Sequence, residues 1–203
     1  MITAKQIMRI MQCSATLAQK WQPHLARAID LFDIDSPLRI TAFLAQVGHE
    51  SGRLVFVREI WNPVQCPWQL RYNSKADLGN TRPEAIATAA QHGSTPGPWW
   101  KGHGLIQITG YDNHLACGEA LNLDLLNHPE LLEQPENAAL SAAWFWATHG
   151  CNKFADAGDL DGVSDVINIG RKTARIGDSN GYADRLALYE RAKIALAKEE
   201  QPA

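Results

Sequence analysis

The sequence predicts a mainly α-helical protein with one very small β element and a loop-rich middle. Three observations carry that expectation. Apolar residues recur at helical spacing behind clear start signals, the stretch GLIQITG alternates like a short strand, and residues 60–104 break into prolines and glycines.

Taken in order, the first fifty residues suggest helices that restart near Pro23. Ser36-Pro37 reads as an N-cap followed by proline at the first helical position. Leu38, Ala42, Ala45 and Gly48/His49 then follow at helical spacing, and Gly52 is placed to stop the helix. From Ile60 to Gly104 the pattern fails: Pro63, Pro67, Pro83, Pro96 and Pro98 mix with Gly79, Gly93, Gly97 and Gly102. So long an irregular connection is uncommon in a compact domain unless it has a function. It holds Trp61, Trp68, Trp99 and Trp100, four of the seven tryptophans. The GLIQITG alternation would put Gln107 and Thr109 on one face of a strand. Gln134-Pro135 starts another helix, with Leu140, Ala143, Trp144 and Ala147 on one face and Gly150 as its end. A last helix is expected from Tyr182 to Ala197, with Tyr182, Leu186, Tyr189 and Leu196 on its apolar stripe.

The chain has 203 residues, 45% of them hydrophobic and 20% charged, the balance of an ordinary globular protein rather than a disordered one. A single domain spanning residues 1–203, with no separate binding module, is expected. The net charge of −3 speaks against a broad nucleic-acid surface. Residues 171–193 carry a local excess: Arg171, Lys172, Arg175, Arg185, Arg191 and Lys193 against Asp178, Asp184 and Glu190. That excess reads either as a solvated helix face or as a surface for an anionic polymer. No stretch approaches a membrane span, so no membrane insertion is expected, and a monomer is expected. The N-terminus shows no signal-peptide pattern, which implies synthesis in the cytoplasm. Cys13, Cys66, Cys117 and Cys151 form no C-x-x-C pair and read as reduced thiols, with a Cys117–Cys151 bridge left open.

Glu50 and Glu59 lie nine residues apart with Gly52 between them. At a helix end, in an apolar neighbourhood, Glu50 would tend to keep its proton and suit a general acid. Beyond the turn, with Arg53 and Arg58 close in sequence, Glu59 would stay ionised and suit a base. Two carboxyls in opposed environments are an arrangement for glycoside hydrolysis, although glutamates flanking a loop are usually only solvated. His49-Glu50 begins like the H-E-x-x-H zinc motif, but Arg53 stands where its second histidine is needed. No metal and no cofactor are implied. Trp61, Trp68, Trp99 and Trp100 either stack on sugar rings or brace the loops. Gln107, Thr109 and Asn113 offer polar partners for sugar hydroxyls.

The segments AFLAQVGHESGRL, REIWNP, KGHGLIQITGYDNH and LLEQPENAALSAAWFWATHG occur in that order. Together they resemble the family 19 glycoside hydrolases, and among them the bacterial, prophage and phage members of chitinase and endolysin type. The resemblance runs from about Trp21 to Ala192. It implies a bilobal, lysozyme-like fold with a substrate cleft. It also implies Glu50 as general acid, Glu59 as general base and Thr109 as the hydroxyl that holds the attacking water. Sugar contacts would fall to His49, Trp61, Arg71, Tyr72, Trp100, Gln107, Asn113, Asn168 and Arg185. Two departures stand out. Gly102-His103-Gly104 replaces the usual Gly-Arg-Gly, making a fixed cation a switchable one. Ile167-Asn168-Ile169-Gly170 replaces Ile-Asn-Gly-Gly and is followed by the unusual RKTARIGDSNG.

The expected function is an inverting hydrolase of β-1,4 bonds in N-acetylated glycans, with the carboxyls about 6.5–9.5 Å apart. The substrate expected is a polysaccharide, peptidoglycan first and chitin as the alternative. An enzyme of this kind would reach the cell wall after lysis or through a holin-type pore. A glycan-binding protein that no longer turns over is the rival of another class, and retention of both glutamates and Thr109 argues against it.

Overall fold

The computed structural model describes residues 1–197. The chain divides into two compact units, Met1–Val55 together with the chain from Ala142 onward, and Phe56–Ser141.

The first unit opens with α1 (Ala4–Met11), started by a capping box in which Thr3 and Gln6 exchange backbone and side-chain bonds. Ser14 caps α2 (Ala15–Leu31), and Ser36 caps α3 (Pro37–Glu50) with its hydroxyl accepting from Arg39 N at 3.2 Å. Every residue of α3 from Thr41 to Gly48 is buried, so this helix is the axis of the unit. Gly48 matters here: a Cβ at that position would run into Met11 Sδ of α1 and Leu188. The unit is completed by the second half of α7 (Pro135–Thr148) and by α8 (Cys151–Asp156), α9 (Leu160–Ile169) and α10 (Tyr182–Ala197). Phe43 meets Trp146 edge to face at 5.5 Å, and the Trp146 indole donates to Asn152 Oδ1 at 2.7 Å.

The second unit holds α4 (Pro83–Gln91), α5 (Pro96–Trp99), α6 (Tyr111–Leu121) and the first half of α7, with 3₁₀ turns at Pro67–Ser74, Ala76–Leu78 and Pro129–Glu133. Its core gathers Ala85, Ala89, Trp100 and Tyr111, with Trp99, Leu115 and Leu126 packed against them.

The architecture is mostly helical, as expected; α3 and α7 stand where their punctuation places them, and α10 spans the residues expected of it. Four details differ. Pro23 does not restart a helix but lies inside α2. The carbonyl it leaves without a helical donor belongs to exposed Gln19, while Ala18, Trp21, Leu25, Ala28 and Ile29 bury the other face. Residues 60–104 are not wholly irregular, since α4 forms behind Arg82-Pro83; alanines at 85 and 89 make its buried stripe. The GLIQITG stretch forms no strand. It is a tight turn with isolated bridges from His103 to Arg58 and to Ile108, and Gln107 takes a left-handed φ of 53°. In α10 the buried stripe is Arg185, Leu188, Tyr189, Ala192 and Ala195, whereas Leu186 is 41% exposed. A buried arginine turns the inward face by one residue.

Candidate active site

The first group of candidate residues lies in the first unit. Glu50 is the last residue of α3. The helix ends in a Schellman arrangement: Arg53 N donates to Gly48 O at 2.8 Å and Gly52 N to His49 O at 3.2 Å. Gly52 takes the left-handed φ of 55°, and Arg53 and Leu54 follow it at 62° and 68°. Left-handed backbone at a branched apolar residue is strained and persists only where the surroundings hold it. Leu54 is held at both ends, by Ser51 Oγ on its N–H at 2.7 Å and by the Trp21 indole on its carbonyl at 3.2 Å. This turn fixes the backbone at Glu50.

The partner of Glu50 is a cation rather than the apolar wall expected from sequence. Arg185, 1% exposed, donates to Glu50 Oε1 through Nη2, to Gln46 Oε1 through Nη1 and to the Asn180 carbonyl through Nε at 3.1 Å. A side chain so enclosed serves Glu50 and not a sugar directly, which corrects its expected role as a substrate contact. His49, the neighbour of Glu50, has Nδ1 2.8 Å from Asp184 Oδ2, and Arg53 grips the same carboxylate through both terminal nitrogens. The Arg53 hydrogen bonds hold the Asp184 carboxyl down to about 2 against the burial that pushes it up, and His49 acts in the same direction. Gly181, at a φ of 70°, lies so close to the His49 ring that a Cβ would collide with it. Asn168 is exposed, and its Oδ1 accepts from Asn180 N at 2.8 Å.

The second group lies in the second unit. Glu59 accepts at both oxygens: Gln69 Nε2 reaches Oε1 at 2.9 Å and Gly102 N reaches Oε2 at 3.2 Å. Its own N–H donates to Gly102 O at 2.7 Å. The flanking arginines do not provide this hold. Arg53 is committed to Asp184, and Arg58 lies 3.6 Å from Glu133. Amides, not cations, surround the expected base.

Gly102 ties Glu59 to the turn that follows. Gln107 packs its amide oxygen against Gly102 and donates to Gly104 O at 2.8 Å. Thr109 Oγ1 donates to Gln107 O and Asn113 Nδ2 to Thr109 O, each at 2.8 Å. Glu59, Gln107, Thr109 and Asn113 are therefore brought into one connected run, through a turn rather than the expected strand face. His103 is not the switchable cation expected of it. It is 1% exposed, and burial, with His114 and Lys101 acting the same way, pushes it down to about 2. His114 Nδ1 faces the Gly110 carbonyl at 2.8 Å, so that nitrogen carries the proton and Nε2 accepts from His103 Nδ1 at 3.2 Å.

The tryptophans divide. Trp100 is fully buried, meets Tyr111 edge to face at 4.9 Å and belongs to the core, which removes it from the sugar contacts. Its indole N–H has no partner among the described residues. Trp99 donates to Leu126 O at 2.9 Å and stacks on His92. Trp61, half-buried, and Trp68, 51% exposed, both pack on Tyr72, at 6.0 and 5.9 Å between ring centroids. Burial, and after it the Glu59 charge, pushes the Tyr72 phenol up. Arg71 beside it is exposed.

Several of the remaining charges are paired within the chain, and the thiols are unbridged. Lys172 pairs with Asp161 and Asp159, Arg191 with Gln12 and Lys193 with Glu190, so several of the basic residues of 171–193 are met within the chain. All four cysteines are free, and burial pushes the Cys117 and Cys151 thiols up to about 12. Two residues that no local pattern had marked emerge from this geometry, Gln69 at Glu59 and Asp184 at His49.

The fold is that of a mostly helical, lysozyme-like glycoside hydrolase. Chitinase C from Streptomyces griseus HUT6037 shares it with a TM-score of 0.71 and 19% identity, over 97% of this chain and 76% of that one. A bacterial family 19 chitinase shares it with a TM-score of 0.66 and 22% identity, over 96% and 94%. The chain belongs to glycoside hydrolase family 19, chitinase class I, whose family model matches residues 33–160. An endochitinase of Solanum tuberosum is 30% identical over 181 residues, 78% of this chain and 53% of the relative. Endochitinase 2 of Gossypium hirsutum is 34% identical over 110 residues, 54% of this chain and 35% of the relative. The chain thus spans about a third of the length of the cotton endochitinase and about half of the potato one.

Proposed function

We propose that the protein is an inverting glycoside hydrolase that cuts β-1,4 bonds in N-acetylated glycans. Glu50 protonates the departing glycosidic oxygen, and Glu59 with Thr109 directs a water at the anomeric carbon. The observation that carries this reading is the Glu59 carboxylate, which accepts an N–H at each oxygen within the segment that matches the family. Two donors aimed at its oxygens hold the carboxyl in one place, as a base that orients a water requires. Glu50 and Thr109 fall in the same matched segment. The acid role of Glu50 rests on its family position at the end of α3.

The roles separate by leaving group. On a chitooligosaccharide glycan, Glu50→Gln and Glu59→Gln should each lose about 10²–10⁴-fold in turnover. On a nitrophenyl chitooligosaccharide, whose aglycone departs without a proton, Glu50→Gln should recover most of its rate and Glu59→Gln none. Wild-type turnover by either variant on the unactivated glycan would remove the assignment.

The endochitinase relatives support chitin-type poly-N-acetylglucosamine as substrate. Resemblance of REIWNP and KGHGLIQITG to phage-type members supports peptidoglycan, which carries N-acetylglucosamine in the same linkage. Mass spectrometry of the fragments released from chitin and from purified peptidoglycan separates these substrates. Binding to both without any fragments would favour a glycan-binding protein instead.

A further inference from the structure

We propose that Gln69 is the positioning residue of the Glu59 carboxylate, an inference that rests on Glu59 acting as the base. Gln69 lies in the 3₁₀ turn Pro67–Ser74 and is 2% exposed, a polar side chain buried in a segment that otherwise shows its apolar residues to solvent. Ile60, Val64, Trp68 and Leu70 around it are all more than half exposed. Burying an amide among such neighbours is unfavourable unless every one of its hydrogen-bonding groups is used.

Each of them is. Asn62 N donates to Gln69 Oε1 at 2.7 Å, while Nε2 donates to Glu59 Oε1 and to the Ile60 carbonyl, both at 2.9 Å. These partners settle which way the amide points. A backbone N–H can only donate, so the atom facing Asn62 is the oxygen, and the nitrogen must face the carboxylate. The two hydrogens of Nε2 meet two acceptors, and the side chain has no second orientation that satisfies all three partners. Glu59 is therefore gripped by a side chain that cannot turn away from it.

The other hold on Glu59 is the Gly102 N–H, a backbone group that substitution cannot remove. Gln69 is then the side chain that sets where Oε1 stands, and through Ile60 and Asn62 it wraps the chain after Glu59 around the same amide. A base displaced by a fraction of an ångström aims its water poorly while the sugar can still bind. Loss of Gln69 should thus act on turnover more than on binding.

Two variants test this. Gln69→Met keeps the length of the side chain and removes the donor; Gln69→Asn keeps the amide and withdraws it by one methylene. With N-acetylglucosamine hexamer as substrate, each should lower kcat about 10–100-fold. KM should stay within about threefold of wild type, because neither substitution alters a side chain expected to touch sugar. A purely structural residue would lower the melting temperature and leave kcat of the folded enzyme within about twofold of wild type. That result in either folded variant overturns the proposal, and Gln69→Asn carries the test if Gln69→Met does not fold. Glu59→Gln is assayed beside them. If it turns over like wild type, the acid–base reading itself falls. If it is inactive while the Gln69 variants keep their kcat, the positioning role alone falls.

Discussion

Arg185 holds the Glu50 carboxylate from inside the first unit, with 1% of its surface exposed and its other nitrogens committed to Gln46 and the Asn180 carbonyl. An arginine in that position couples the carboxyl at the end of α3 to α10, so its loss leaves Glu50 and Gln46 without their buried partner. Arg185→Ala should therefore cost about 3–5 kcal/mol of stability, the usual result of breaking a buried pair from one side. Urea unfolding measures it. A change under about 1 kcal/mol would place Arg185 among ordinary surface residues instead.

The tryptophans of residues 60–104 should separate by readout. Trp100→Ala empties the core between Tyr111 and the alanines of α4 and should cost about 3–5 kcal/mol. Trp61→Ala and Trp68→Ala remove rings from the partly exposed cluster on Tyr72. They should raise KM for a glycan substrate with melting temperature almost unchanged. Thermal melts and steady-state kinetics on the three variants check both halves.

Asp184 gives a pH dependence of defined sign. Its carboxyl is lowered from 3.8 to about 2 in the folded protein, chiefly by Arg53. A lowered carboxyl stabilises the fold fully above its unfolded value, and that contribution is lost as pH falls toward the folded one. Asp184→Asn should melt below wild type at pH 5, and the gap should close between about pH 4 and pH 2. A gap that stays constant over that window would mean that the Arg53 and His49 bonds do not depend on the carboxylate charge.

His103 should remain neutral where an exposed histidine charges. Burial pushes it down to about 2, and the proton it shares toward His114 leaves its tautomer fixed. Nitrogen-15 NMR of the imidazoles should show His103 with a protonated Nδ1 and a bare Nε2 from pH 8 down to about pH 5, through the range where ordinary histidines titrate. Titration of His103 near pH 6.5 would restore the switchable cation that the sequence suggested.

What was legible in the sequence was local chemistry. Ser36-Pro37 and Gly52 mark the bounds of α3 because capping and the left-handed stop involve only neighbouring residues. Glu50, Glu59, Gln107, Thr109 and Asn113 stand out in the sequence through the short motifs that carry them. The partners that hold the two glutamates were not visible, because Arg185 lies 135 residues from Glu50 and Gln69 sits in a stretch without periodicity. The GLIQITG alternation misled for a related reason: a left-handed residue at Gln107 turns the chain before a strand can form. Burial overrides type at Trp100 and His103, and composition does not report burial.

Under the proposed function, Glu50 acts as acid and Glu59 as base in a single displacement by water. Proton NMR of fresh digestion products of a β-1,4-linked N-acetylglucosamine oligomer, read before mutarotation, tests it most directly. An inverting enzyme releases the α-anomer first, and that is the expected signal. An initial β-anomer, or a covalent glycosyl adduct trapped on Glu59, would contradict it.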